Sequence, residues 1–249
     1  MTVRDLAGLR AADAPRFGGK AASLGELIAG GFRVPPGFAI AADAEPDDLP
    51  LPDGPVAVRS SAIGEDSAGA SFAGQHLTVL NVRGLNAVLD AIRECRASLT
   101  NSAAYRERMG GGEAAMGVVI QEMVDAEIAG VMFTCSPLTG DPSVVAIDAA
   151  PGLGEAVVSG EVTPDHFALS KVTGERLKGG GCLDDAQLAA LLDLGRRIER
   201  HFGAPQDIEF AFADELYVLQ SRPVTVRRSQ TPESKSTMAH VLGTFGVNK

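Results

Sequence analysis

The polar residues of Gln206–Pro223, QDIEFAFADELYVLQSRP, are of types that could hold a metal ion and a phosphate. Asp207, Glu209, Gln220 and Arg222 alternate with apolar residues in two short runs, Asp207–Phe212 and Leu216–Arg222, separated by a turn at Asp214-Glu215. Such alternation around a tight turn predicts a β-hairpin. A register centred on that turn pairs Phe212 with Tyr217 and Glu209 with Gln220. One face then carries Ile208, Phe210, Phe212, Tyr217 and Leu219, and the other Asp207, Glu209, Gln220 and Arg222. Directly opposed Cβ atoms lie ~4.5–5.5 Å apart, so a carboxylate and an amide oxygen could share one hard cation. Magnesium commonly takes only one or two protein oxygens, with phosphates and water completing its shell. The forked guanidinium of Arg222 suits a phosphate. A solvated hairpin face with a single Asp207–Arg222 pair fits the same pattern.

Further anion-binding chemistry is spread along the first half. Gly18-Gly19-Lys20 opens a helix with Leu24, Leu27 and Ile28 at helical spacing, which Gly30-Gly31 ends. A glycine pair at a helix start offers backbone N–H groups to an anion, and Lys20 adds charge; a surface lysine at a helix start is the plainer reading. The loop is not a Walker A motif, because Ala21 stands where Ser or Thr is required and Ala14 where a glycine is. Val56–Ser61 reads as a buried strand carrying Arg59 to the mouth of a glycine-rich loop, 64–74, with Gly64, Ser71 and Gly74. Small residues there let backbone N–H groups approach an anion closely, while Arg59 could equally serve a structural salt bridge.

The elements that must position these residues are legible in outline. Leu77–Val82, Gly117–Val124, Ile128–Thr134, Val144–Asp148 and His166–Ser170 read as strands. Leu85–Leu99 and Asp184–Phe202 read as amphipathic helices, the second closed by Gly203 and Pro205. A small-residue helix is expected from Gly152 to Gly160. Residues 43–55 form an acidic, proline-rich loop, and 227–249 a flexible tail whose last dozen residues are mildly apolar.

The 249 residues suffice for one large domain or two lobes. A formal charge of −10 argues against non-specific nucleic-acid binding. Cys95, Cys135 and Cys182 have no metal-ligand spacing and read as reduced thiols of a cytoplasmic protein. Neither a signal peptide nor a membrane span is expected.

In order along the chain, GGKAASLGEL, VPPGF, VAVRSSA, ASFAGQ, VIQEMV, GVMFT, GLGEAVVSGEVTPD and QDIEF…LYVLQSRPV resemble the ATP-grasp nucleotide-binding domain of the phosphoenolpyruvate synthase and pyruvate phosphate dikinase family, which includes rifampin phosphotransferase. The resemblance spans about residues 16–226. It implies an α+β fold with two lobes closing on ATP, a first lobe over 1–115 and a second over 116–226. It further implies that Lys20, Arg59 and Arg222 are catalytic contacts to the triphosphate, that Ser71 and Gly74 cover it, and that Gln121, Glu122, Met123 and Val124 receive the adenine. Glu209 and Gln220 match the family's Mg²⁺-binding pair.

The family's phosphate acceptor is a histidine on a separate domain, and His76, His166, His201 and His240 do not match its motif. Separate phosphohistidine-domain and substrate-domain proteins are therefore the expected partners, and an ATP-dependent phosphotransferase of dikinase type the expected activity. The first lobe is expected to be shortened, with only Ala39–Pro55 between VPPGF and VAVRSSA, and Ile63-Gly64 stands where the family carries Thr-Ala. Two alternatives are a non-catalytic nucleotide-binding module and a split small-molecule or antibiotic phosphotransferase.

Overall fold

A computed structural model of the chain describes residues 2–46, 48–64, 77–101, 115–152 and 163–224. It divides into two compact units, one running to Met123 and the next starting at Val124. The expectation of a boundary between 115 and 116 placed Met116–Glu122 in the second lobe. This strand instead lies inside the first sheet, hydrogen-bonded on both edges, so the division falls after it.

The first unit is built on a five-stranded antiparallel sheet ordered β1-β2-β5-β3-β4. Its strands are β1 (Val3–Asp5), β2 (Gly37–Ile40), β3 (Val56–Ala62), β4 (Thr78–Val82) and β5 (Met116–Glu122). All seven residues of β3 are buried. Helices α1 (Ala14–Phe17), α2 (Gly19–Ala29) and α3 (Leu85–Asn101) pack on this sheet. As the glycine pair at its end predicts, α2 stops at Ala29, with Gly30 as its C-cap. The short connection after β2 is tied down by Arg96 of α3. Its Nη2 donates to the carbonyls of Ala41 and Ala44, and its Nη1 meets Glu45 at 2.8 Å.

In the second unit a six-stranded antiparallel sheet has the order β11-β10-β6-β7-β8-β9. Its strands are β6 (Ile128–Phe133), β7 (Val144–Pro151), β8 (Asp165–Ser170), β9 (Arg176–Lys178), β10 (Gln206–Phe212) and β11 (Leu216–Pro223). Helix α4 (Asp185–Phe202) covers one face. It starts at a reciprocal cap between Asp184 and Gln187 and ends on Gly203 in the left-handed region, φ 70°. Gly195 lets α4 approach β6, since a Cβ there would meet Met132 Cε at 3.1 Å. The core face of the sheet is thereby fixed as the one carrying Met132, Ile147, Phe167 and Ile208, which are paired in one row across four strands.

Strands β1 and β9 were not legible in the sequence, because three residues cannot display an alternation. Residues 153–160 of the helix expected over Gly152–Gly160, the loop residues 65–76 and the tail lie outside the described residues.

Candidate functional site

On the second unit, the hairpin pairs Glu209 with Gln220 and Asp207 with Arg222, as the alternation predicts. Beyond that point the expected register fails. A bulge at Leu219 shifts the register, so Phe210 pairs with Val218 and Phe212 with Leu216, not Tyr217. Val218, 1 % exposed, therefore takes the core-face position expected for Leu219, and Leu216 that expected for Tyr217. Tyr217 pairs with Ala211 and its hydroxyl donates to Asp214.

Because Ile208 faces α4, its neighbours Asp207 and Glu209 point to the opposite face. Glu209 and Gln220 thus present two oxygen-bearing side chains together on the face away from the helix. Among the described residues no group of three or more His, Cys, Asp or Glu could hold a metal. A pair of hard-oxygen ligands nonetheless fits magnesium, which fills the rest of its shell from phosphate and water.

In the next row, Arg222 Nε and Nη2 both lie 2.8 Å from Asp207 Oδ2. Burial pushes the Asp207 carboxyl above its ordinary range, against the pull of the Arg222 guanidinium. The pair fixes the guanidinium plane on the Glu209 face. Along the Glu209 row the register continues through Val131 to Asp148 and His166. His166 Nδ1 lies 2.5 Å from Asp148 Oδ1.

On the first unit, Lys20 and Arg59 are each 6 % exposed. Register places Gly37, Gln121 and Ala57 in one row and Ala39, Val119 and Arg59 in the next row of the same face. The Oε1 of Gln121 accepts from Arg59 Nη1 at 3.2 Å. Its Nε2 is buried and has no hydrogen-bond partner among the described residues. Gly37 and Ala57 flank Gln121 with almost no side-chain bulk.

The four residues expected at the adenine are not equivalent. Alternation turns Glu122 to the face opposite Gln121, where it is exposed. The backbone N–H groups of Glu122 and Met123 are already bonded to Pro36 O at 2.9 Å and Pro55 O at 3.1 Å. Val124 belongs to the second unit, and its carbonyl accepts from Ala126. Ser71 and Gly74 lie outside the described residues.

Sequence reasoning missed Ser61, which lies on the Arg59 face, whereas the Asp207–Arg222 pair was among its readings of the hairpin. The i, i+2 spacing from Arg59 was the available signal for Ser61.

The family of the pyruvate phosphate dikinase AMP/ATP-binding domain matches residues 47–181 and 171–241. A probable phosphoenolpyruvate synthase of Methanothermobacter thermautotrophicus is 43% identical over 219 residues, covering 75% of this chain and 32% of its own. The rifampicin phosphotransferase of Bacillus subtilis is 39% identical over 221 residues, covering 76% of this chain and 25% of its own. The prodigiosin synthesizing transferase of Serratia marcescens is 37% identical over 295 aligned residues, which cover 90% of this chain and 33% of its own. That alignment is longer than the chain, so the relative carries insertions that this chain lacks. The chain spans about a third or less of the length of these relatives. Among the described residues no helix is long and apolar enough to cross a membrane. With its two antiparallel sheets and flanking helices, this α+β chain belongs to the pyruvate phosphate dikinase AMP/ATP-binding domain family.

Proposed function

We propose that this chain is the ATP-cleaving part of a dikinase-type phosphotransferase, acting with Mg²⁺ and passing phosphate to a histidine on a separate domain or protein. The direct pairing of Glu209 with Gln220, beside Arg222 held by Asp207, carries the reading. Glu209 and Gln220 would hold the Mg²⁺, which supplies neutralisation of phosphate charge when bound.

The chain's own residues supply positioning. Arg222, its guanidinium oriented by Asp207, would meet a phosphate. Lys20 and Arg59 supply further positive charge to the triphosphate, and the buried setting of both strengthens that attraction. Gln121 Oε1 steadies Arg59 and leaves its Nε2 to donate to the nucleotide. An adenine would take its hydrogen bonds from atoms other than the N–H groups of Glu122 and Met123. Ser71 and Gly74 would close over the phosphates, and Met123 and Val124 would give the base apolar contact. Such a site works by electrostatic stabilisation and alignment without a covalent nucleophile of its own. Cleavage between the β and γ and between the α and β phosphates would release AMP, one phosphoryl group passing to the histidine and the other to water as orthophosphate.

Mixing the chain with ATP, Mg²⁺ and a histidine-domain protein encoded beside it should yield AMP and a phosphoprotein. Pyruvate, or an antibiotic as the rifampicin phosphotransferase relative suggests, would be the final acceptor in a cytoplasmic multi-component system. The alternative, a nucleotide-binding module without turnover, is motivated by the short span, Ala39–Pro55, that separates VPPGF from VAVRSSA. Tight ATP binding with no AMP under any partner would select it.

A further inference from the structure

We propose that Ser61 is a positioning residue that caps helix α2 from a distant strand and so locks Lys20 and Arg59 into one constellation. The inference rests on the reading that Lys20 and Arg59 meet the nucleotide.

The first N–H groups of any helix lack partners within it. In α2 the first intrahelical bond is Ala22 N to Gly18 O, which leaves Ala21 N without a helical acceptor. A Ser, Thr, Asp or Asn at the N-cap would normally accept such a bond. Here the N-cap is Gly18, which has no side chain and stands at φ 85°. The missing acceptor comes from Ser61 on β3, whose Oγ lies 3.1 Å from Ala21 N although forty residues separate the two.

The surrounding backbone is shaped for this contact. A Cβ on Gly18 would lie 2.1 Å from Ser61 O and 2.3 Å from Ser61 Oγ. Gly117, the residue paired with Ser61 on β5, would place a Cβ 2.2 Å from Phe17 O. Two glycines distant in sequence are thus required for the α1–α2 junction to rest on the sheet at Ser61. Ser61 is fully buried, and its hydroxyl is the side-chain acceptor brought to this junction.

Two cationic residues are joined through this one hydroxyl. Lys20 directly precedes the capped amide of Ala21, and Arg59 lies two residues before Ser61, on the same face of the strand. Movement of the α2 start would shift the Lys20 ammonium while leaving Arg59 in the sheet. The cap is what holds their spacing, and a triphosphate requires both at once.

A double-mutant cycle with ATP and Mg²⁺, read by titration calorimetry on the full chain, tests this. Ser61→Ala should weaken ATP binding about tenfold in the wild-type background. In the Lys20→Ala background, Ser61→Ala should change affinity less than about twofold, because the group it positions is gone. An equal loss in both backgrounds means general loosening of the fold and overturns the proposal. Wild-type affinity in Ser61→Ala, alongside weakened binding in Lys20→Ala, overturns the cap alone. Unchanged binding in Lys20→Ala overturns the assignment of Lys20 and this proposal with it.

Hydrogen exchange on the wild-type chain gives a test that survives a variant that does not fold. The Ala21 amide should exchange as slowly as the amides of the α2 interior. Exchange at the rate of an uncapped first turn would also overturn the proposal.

Discussion

Replacing Gln121 separates its two atoms' contributions. Gln121→Leu removes Oε1, leaving the Arg59 N–H that it accepts from without that partner, at a cost of about 1–3 kcal/mol. The same substitution removes the buried, unpartnered Nε2, whose desolvation costs a similar ~1–3 kcal/mol in the free chain. The two terms oppose each other, so unfolding stability in urea should change by less than about 1 kcal/mol. ATP affinity should not be spared. A hydrogen bond to a charged group contributes about 1.5–3 kcal/mol, so losing the Nε2 contact, with Arg59 also released, should weaken binding roughly 10- to 100-fold. Gln121→Glu makes a sharper comparison. Its carboxylate would sit against the guanidinium of Arg59, preserving the fold while neutralising the charge that a phosphate needs. It should lose at least as much affinity as Gln121→Leu. Calorimetric titration with ATP and Mg²⁺, beside urea melts of both variants, measures each term. Wild-type ATP affinity in either variant would refute the reasoning, as would a loss of stability with affinity unchanged.

Other expectations follow from the same geometry. Glu209→Ala should cut AMP formation by at least about 100-fold and raise the Mg²⁺ concentration needed for ATP binding; unchanged AMP yield would remove the metal assignment. Asp207→Asn should destabilise the second unit by about 1–3 kcal/mol, because a neutral amide oxygen replaces the charged acceptor of the Arg222 hydrogen bonds, and chemical denaturation would measure it. Arg96→Ala, which frees the connection after β2, should lower stability by about 1.5–3 kcal/mol in the same assay.

Burial pushes the Cys95 thiol up from 9.0 to about 12, so the native state keeps a proton that the unfolded chain releases. Its contribution to stability is therefore complete below pH 9.0 and lost as pH rises towards about 12, at up to ~1.4 kcal/mol per pH unit. Cys95→Ala should flatten the alkaline limb of a stability–pH curve relative to wild type.

Much of the site was legible because its residues lie in regular alternation. Glu209 and Gln220, or Asp207 and Arg222, need only a strand period of two and a turn to be found opposite each other. The rest depended on facts that local pattern does not carry. The extra residue at Leu219 breaks the alternation without a glycine to mark it, so Val218 and not Leu219 reached the core. The boundary was misplaced because Met116–Glu122 resembles the strands that follow it, while its partners, β2 and β3, lie far earlier in the chain. The bond between Ser61 and Ala21 depends on how α2 docks, which sequence spacing does not encode. Gln121 and Glu122, adjacent in one motif, point in opposite directions because the strand continues through both.

The bulge at Leu219 has a consequence for how this hairpin could vary. Side chains in a strand alternate, so adding or removing one residue between two paired positions normally turns everything beyond it inside out. The bulge at Leu219 absorbs one such residue between the loop and the end that carries Glu209 and Gln220. The pairing of Phe212 with Leu216 belongs to the loop, while that of Glu209 with Gln220 belongs to the site, and the two are set independently. The bulge acts as an insulator between a segment free to drift in length and one that is not. Loop variants that shift the turn by one residue could then be accommodated by gaining or losing the bulge, with Glu209 and Gln220 still face to face.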